Sequence, residues 1–578
     1  MLFKPRNAHA GESLTLESLE PEQLARLPLA KRLLALRGET PDFEANLKDM
    51  LPPAGMKDLQ RAVKVVAAAI DRKFKIVIVA DYDADGATAC AIGLRGLRMF
   101  GADVDFVVPN RFTDGYGLSP GVVDRALEKN PRLIVTVDNG IAAVEGIRYA
   151  REKGVPVVVT DHHLAGDVLP DAVAIVNPNQ PGCEFPSKNL AGCGVMFYLL
   201  IALRRHYADL KDPRGNAPLQ NLFDILALGT VADVVKLDRN NRILVEMGLR
   251  RIRQGKACPG VHAIFTAAGK KSEDAGATDL GFYIGPRINA AGRMDDASVG
   301  IQCLVTDDWS EAIRLATELN ETNTHRREVQ AEIQEKAEQI ADGLHASAGY
   351  SIVVADPEWH EGVIGVVAGR IKEKFQRPTI VFTQSEDGAF KGSGRSIPAL
   401  HLRDALDLVD RRLPGVILKF GGHAMAAGLS IQAEAFEKFR EAFEQVVRET
   451  LSPEDLEEVV EHDGALQAAD LTIENARWMK HGVWGQGFPA PSFLTPAKVV
   501  ARRILKDTHT KLTLDVDGEK IDGILFNEVM KEGEDVLVYG RLDINEWNGK
   551  ESVQMLVNKV VPAEELENAS RPHIAECA

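Results

Sequence analysis

The sequence predicts an α/β protein: a parallel-sheet domain and a smaller α/β domain joined by a long helix, with a C-terminal β-barrel of the oligonucleotide-binding type. Three observations predict it. From Lys75 onward, apolar β-branched runs alternate with helical stretches, the pattern of strands buried on both faces. From Trp309 to Leu344 the chain has no proline, and no glycine before Gly343, so one long helix is expected. Beyond Trp484 short strand-like segments are punctuated by Asp517-Gly518 and Asn548-Gly549, dipeptides suited to hairpin turns.

At 578 residues the chain exceeds one domain, since domains run to about 150 residues. Lys+Arg 68 against Asp+Glu 84 gives a net charge of −16, which excludes a polycationic nucleic-acid coat protein but not a local basic groove. Apolar and charged contents of 45% and 26% exclude a largely disordered chain. No apolar run reaches the ~18 residues of a membrane span, and Met1 to Gly11 lacks a signal-peptide pattern; a cytoplasmic protein without membrane contact is expected. Cys90, Cys183, Cys193, Cys258, Cys303 and Cys577 form no C-x-x-C motif and read as reduced thiols.

In chain order, residues 1–50 are expected to form a leading arm without chemistry. Residues 51–305 hold the first domain, with strands at Lys75 to Ala80, Val104 to Val108, Leu133 to Val137, Val155 to Thr160 and Val173 to Val176, then helices from Gly192 to about Ile252. Residues 306–345 form the connecting helix, with Leu315, Leu319, Val329, Ile333 and Ile340 on its apolar stripe. Residues 346–450 form the second domain: strand Ser351 to Ala355, helix Gly362 to Lys374, strand Thr379 to Phe382 and glycine-rich turns at Lys391 to Arg395 and Gly421 to Gly428. Residues 451–565 comprise an acidic linker and the barrel; from Glu441 to Asp470 ten acidic residues face one basic residue, a local −9. Residues 566–578 are a tail. Phe488, Phe493, Phe526 and Trp547 are expected in the barrel core rather than as base-stacking residues.

Three carboxylates in Asp81-Tyr82-Asp83-Ala84-Asp85-Gly86 follow the first strand directly. The letters match the start of a calcium loop, but that loop needs a glutamate at its twelfth position, where this chain has Ile92. Asp138-Asn139-Gly140 ends the third strand and Asp161-His162-His163 the fourth, and the carboxyl ends of an open α/β sheet share one crevice. Asp233, after the apolar stretch Asn221 to Leu228, would alone read as a helix cap. Converging carboxylates repel unless cations neutralise them, and oxygen ligands with few nitrogens favour manganese or magnesium. Two such ions, ~3.5–4 Å apart, activate a water and stabilise both oxygens of a phosphate displacement. Phosphoester hydrolysis is the implied reaction.

These four motifs in order resemble the DHH phosphoesterase superfamily. Gly421-Gly422-His423-Ala424-Met425-Ala426-Ala427-Gly428, Trp359 to Gly365 and Gly285 to Arg293 are similar to its RecJ-like branch of single-strand-specific 5′ to 3′ DNA exonucleases, over about residues 60–565. The resemblance implies a DHH domain followed by a DHH-associated domain, and two cations, Mn2+ or Mg2+. It places one ion on Asp83 and Asp138 with help from Asp81, and the other on Asp85, Asp138, His162 and Asp233. His163 would face the scissile phosphate and Asp161 would orient the imidazoles. Arg111 and Tyr116 would contact nucleotides, and Arg287, Asn289 and Arg293 their phosphates.

From Arg370 to Lys419 ten basic residues outnumber six acidic ones, a local +4, and Ser393, Arg395, Gly422 and His423 are expected on turns able to cradle a phosphate. The resemblance assigns that cradle to the 5′ end of the strand, and suggests a role in DNA recombination and repair, with single-strand DNA-binding protein and repair helicases as partners of a monomer. Two rivals remain. A hydrolase of oligoribonucleotides or other small phosphoesters would need neither the barrel nor the basic second domain. A non-catalytic strand-binding subunit would have lost metal ligands that are all present here.

Overall fold

The computed structural model describes residues 2–6, 28–39, 44–110, 114, 117–346, 349–385, 388–530 and 535–562. They form two compact units, one built on Phe3–Gly285, Ile301–Ala312 and Val460–Ala578, the other on Pro286–Gly300 and Ile313–Val459.

In the first unit, strands β1 (Ile76–Ala80), β2 (Val104–Val107), β3 (Leu133–Val137), β4 (Val157–Thr160) and β5 (Ala174–Val176) form a sheet of order β2-β1-β3-β4-β5. Every pairing is parallel. Helices cover both faces, which is why β1 and β3 are buried at every residue and read as unbroken apolar runs. Val77, Val79, Ile134, Val157 and Val159 pack with Val122, Val123 and Ile147 on one face. From β1 the chain passes to β2 on one side and then crosses to β3 on the other side of β1, so the sheet opens a crevice between the carboxyl ends of β1 and β3. Helices α1 (Ala84–Met99), α2 (Gly192–Asp209) and α3 (Phe223–Ala232) follow.

The second unit carries α4 (Gly285–Met294) and most of α5 (Trp309–Ala346), the single uninterrupted helix the sequence predicts. Strands β6 (Ile352–Ala355), β7 (Thr379–Gln384), β8 (Phe390–Arg395), β9 (Ile417–Gly422) and β10 (Ala426–Ile431) form a mixed sheet of order β9-β10-β8-β7-β6, with α6 (Glu361–Phe375) between β6 and β7. Its first glycine-rich segment, Lys391 to Arg395, is strand β8 and not the turn expected, whereas Gly421 to Gly428 is the β9–β10 hairpin, turning at His423 to Met425. The reason for β8 is packing: a methyl on Gly392 would fall 2.4 Å from the Phe382 ring, and one on Gly394 2.8 Å from Leu402.

The closed barrel consists of β11 (Phe493–Leu505), β12 (His509–Val516), β13 (Glu519–Leu525), β14 (Asp535–Trp547) and β15 (Lys550–Pro562), in the order β11-β12-β13-β15-β14. Asp517-Gly518 and Asn548-Gly549 turn with positive φ at both residues, as two-residue hairpins require. Strand β11 was not legible in the sequence because Pro496 interrupts it; proline is confined to special strand positions, and here it pairs with Leu537 on β14. Phe493 is in the barrel core as expected; Phe488 is buried but stacks on Trp484 ahead of β11, and Phe526 and Trp547, just after β13 and at the end of β14, are 52% and 73% exposed, so the barrel-core reading of these three is corrected.

The leading arm is not inert. Its helix Leu29–Leu36 inserts Leu29 and Leu33 into the barrel core beside Phe493, Leu512 and Val538. Arg37 lies over the rings of Trp484 and Phe488 and bonds the buried Asp463 at 2.9 Å, and Arg32 bonds Asp470 at 2.7 Å. The acidic segment is therefore partly neutralised by the arm. Removing the buried side chain in Leu33→Ala should lower barrel stability by about 2–5 kcal/mol. Denaturant unfolding followed by tryptophan fluorescence tests this, and an unchanged midpoint would exclude the arm from the core.

Candidate metal centre

Strand register brings the acidic motifs to one level. Ala80 pairs with Val137 and Val137 with Thr160, so the next residues, Asp81, Asp138 and Asp161, leave three adjacent strands side by side. Asp138 turns at φ +60 and Gly140 at φ +117. Asn139 fixes this bend by donating from Nδ2 to the Val79 and Val137 carbonyls at 3.1 and 2.9 Å, which ties β1 to β3 at the crevice.

Two helix starts gather further carboxylates. Asp83 caps α1 by accepting the Gly86 N–H at 3.0 Å. Asp85, in the first turn of α1, accepts the N–H groups of Gly192 and Cys193, the latter at 2.9 Å. Its oxygens thus serve the start of α2, where partial positive charge favours an anion. Asp233 sits instead at the C-terminal end of α3, where the helix dipole repels it. The next residue, Val234, has φ +61, a strained conformation for a β-branched residue.

His162 stands in the middle. Its Nε2 lies 3.1 Å from Asp138 Oδ1, 3.6 Å from Asp233 Oδ2 and 3.9 Å from Asp85 Oδ2. Beside it, His163 Nδ1 lies 2.8 Å from Asp161 Oδ1. Asp161 is fully engaged in holding this loop: it also accepts the N–H groups of His162, His163 and Ile141. Asn179 and Asn177 bond the carbonyls of His162 and His163 at 2.6 and 2.9 Å.

The crowding is electrostatically costly. Burial, then the neighbouring Asp83, pushes Asp81 well above the ordinary carboxylate range; burial and Asp85 raise Asp83; burial and the surrounding aspartates raise Asp138 and Asp233 strongly. Burial lowers His162. For His163 burial opposes protonation, but the Asp161 hydrogen bond and the nearby carboxylates raise it to about 9. Asp161 moves the opposite way to its neighbours: burial disfavours its charge, yet the His163 bond and charge hold it below the usual range.

The donor set fits divalent cations. Asp81, Asp83 and Asp138 each aim one oxygen into a common space, and Asp85, His162 and Asp233 do the same with two oxygens and one nitrogen, the atoms of each set lying within 4.8 Å of one another. Among the described residues His162 Nε2 and Asp233 Oδ2 are buried without a hydrogen-bond partner, as expected of atoms reserved for a cation. Hard oxygens with one imidazole suit Mn2+ or Mg2+.

The six residues expected to hold metal, with His163, thus converge in the first unit. Arg287, Asn289, Arg293, Ser393, Arg395, Gly422 and His423 lie in the second. There Arg287 Nε bonds Asn320 Oδ1 at 3.0 Å and Arg293 Nη1 bonds the Gly362 carbonyl at 3.2 Å. Ser393 and Arg395 are on β8, bridged at 3.3 Å, and not on a turn. Gly422 has φ +145, and its methyl would fall 2.4 Å from the Ala426 carbonyl; His423 follows in that hairpin, its N–H bonding Ala426 at 2.8 Å. Arg111 and Tyr116 lie outside the described residues.

Sequence reasoning missed Gly192. A methyl there would fall 2.5 Å from Asp138 Cβ and 2.6 Å from Asp138 Oδ1, so a bare backbone at this point lets α2 reach Asp85 while Asp138 stands between the two ligand sets. Only the dense Gly192-Cys193-Gly194 spacing hinted at it.

Comparison with known proteins accords with this geometry. Residues 75–230 match the family model of the DHH family N-terminal domain, 348–449 the DHHA1 domain and 462–559 the RecJ OB domain. The chain is 46% identical to the single-stranded-DNA-specific exonuclease RecJ of Salmonella typhimurium, over 93% of this chain and 96% of that one. It is 35% identical to its Bacillus subtilis counterpart, over 94% and 69%. The crystal structure of RecJ in complex with Mn2+ from Thermus thermophilus superposes with a TM-score of 0.79 at 30% identity, covering 93% of this chain and 76% of that one. That with Mg2+ gives 0.73 at 28%, covering 93% and 75%.

Gly192→Ala should weaken Mn2+ binding by roughly 10–100-fold, the scale of a disturbed outer shell, with the fold retained by circular dichroism. Titration calorimetry with Mn2+ measures this; wild-type affinity would show that Asp138 tolerates the methyl.

Proposed function

The chain belongs to the RecJ family of single-stranded-DNA-specific exonucleases, and from that premise we propose that it hydrolyses single-stranded DNA from the 5′ end, releasing 5′ mononucleotides with two divalent cations, Mn2+ or Mg2+. The observation that carries this reading is the pair of ligand sets around Asp138, since two adjacent carboxylate-rich sites suit in-line displacement at a phosphodiester.

Asp81, Asp83 and Asp138 would hold one cation, and Asp85, Asp138, His162 and Asp233 the other. When bound, the cations lower the pKa of a water and offset the charge that builds on the phosphate oxygens in the transition state. The chain's own residues do the positioning. Asp161 fixes the His163 ring through Nδ1, which leaves its opposite edge to face the scissile phosphate. The Asn139 clamp and the Gly192–Asp85 contact keep the carboxylates at the strand ends in register, so little reorganisation is needed when charge develops.

Ser393, Arg395, Gly422 and His423 would bind the 5′ terminal phosphate, and Arg111, Tyr116, Arg287, Asn289 and Arg293 the strand behind it. The exposed Phe526 and Trp547 would add base-stacking surfaces on the barrel. This reading extends to recombination and repair, with single-strand DNA-binding protein and repair helicases as partners of a cytoplasmic monomer. Among the described residues no helix is long and apolar enough to cross a membrane. The small-phosphoester alternative leaves the barrel without a role, and the non-catalytic alternative leaves the complete ligand set without one.

On an oligodeoxynucleotide labelled at either end and supplied single-stranded, duplex or 5′-blocked, mononucleotides should appear only from the free 5′ end of the single strand. Cleavage confined to dinucleotides would overturn the proposal. Asp138→Ala should abolish cleavage under excess manganese yet retain strand binding; wild-type rates would sink its bridging role. Arg395→Ala should weaken binding of 5′-phosphorylated strands more than of 5′-hydroxyl strands, as read by fluorescence anisotropy.

A further inference from the structure

Helix α5 carries a cationic face that the motifs do not account for. At about 100° per residue, Asn320, Asn323, Arg326, Arg327 and Gln330 share one side of α5, while Glu318, Glu321, Glu328 and Glu332 fall on the other. Asn323 on this side is buried. Arg287 reaches the same side from α4 through its bond to Asn320.

Among the described residues the guanidinium of Arg326 is held by neutral amides and not by a carboxylate. Its Nη1 donates to Gln330 Oε1 at 2.7 Å and its Nη2 to Asn323 Oδ1 at 2.8 Å, while Nε is buried with no partner among those residues. A guanidinium has five N–H donors, so this fork is oriented and still has donors to offer. Arg327 is exposed and has no hydrogen bond or ion pair among the described residues. Burial, then the charges of Arg327 and Arg370, pushes Arg326 below its ordinary range, and burial and Arg327 do the same to Arg287. A like-charged group held in place by amides has its natural counter-charge in a ligand. Arg370 lies on α6, and the same helix packs on Ser393 and Arg395: a methyl on its Gly365 would fall 2.8 Å from Ser393 Oγ and 3.0 Å from Arg395 Nη2.

We propose that Arg326 and Arg327, together with Arg287, form a phosphate-binding track on α5 for the backbone of a single strand, separate from the Ser393 and Arg395 cradle. The inference rests on the strand-processing function proposed above and adds residues to it. Guanidinium groups that contact phosphates without reading bases act on every sequence alike, and binding that substrate and transition state share changes KM rather than kcat.

The test is the double variant Arg326→Ala/Arg327→Ala in the full chain, with Arg326→Lys/Arg327→Lys as the charge-retaining control. Binding of a 5′-hydroxyl oligothymidylate is measured across salt concentrations without divalent cations. Each single-strand phosphate contact contributes about 0.7 to the slope of log K against log salt, so the alanine variant should lose about 1.4. Its KM for the strand should rise by roughly tenfold at unchanged kcat, its preference for a 5′-phosphate should persist, and the lysine variant should keep the wild-type slope. A wild-type slope in the alanine variant, or equal loss in the lysine variant, would overturn the track. A wild-type protein that binds no single strand would overturn the functional reading itself.

Discussion

The structure depends on a repulsion that protein groups alone leave unrelieved. Asp81, Asp83, Asp85, Asp138 and Asp233 converge around His162 in a buried crevice, and burial together with mutual repulsion raises the proton affinity of four of them. Such an arrangement persists because the fold overdetermines it. The parallel register of β1, β3 and β4 fixes three carboxylates at one level, and the starts of α1 and α2 fix two more with backbone N–H groups. Cations are the natural completion of that geometry.

The same economy recurs around it. Asp161 belongs to the row of strand-end carboxylates by register, yet its oxygens are consumed by three backbone N–H groups and His163. It is held below the ordinary range while its neighbours are pushed above it. One row of aspartates on adjacent strands therefore divides into ligands and a support, according to whether backbone donors are within reach. Asp233 Oδ2 has no donor among the described residues and the α3 dipole disfavours its charge, and Val234 after it is strained, which marks the loop as one held for binding rather than for stability.

The second unit shows the inverse electrostatics. Its glycine-rich strands bring Ser393 and Arg395 to the surface of a sheet, and α5 adds guanidinium groups held by amides. The barrel, whose core the leading arm completes, belongs to a chain whose net charge of −16 says little about its ligand, because positive charge is concentrated locally and the acidic segment is met by Arg6, Arg32 and Arg37.

The order of elements and the identity of the acidic motifs are written in the local pattern of residues. Periodicity reports local burial, so the strand at Leu133 to Val137, the long helix α5 and the Asp517-Gly518 and Asn548-Gly549 hairpins were all legible. Four acidic motifs at strand and helix ends were legible because strand ends of an open sheet meet. Tertiary structure alone decided what depends on register and on non-local contact. It decided that Gly192 must lack a side chain beside Asp138, that Pro496 lies within a strand, and that Phe493 is core while Phe526 and Trp547 are exposed. It also decided that an arm with no motif supplies Leu29 and Leu33 to the barrel. Each of these is settled by a partner more than 20 residues away or by closure of a sheet, and a local pattern carries no record of either.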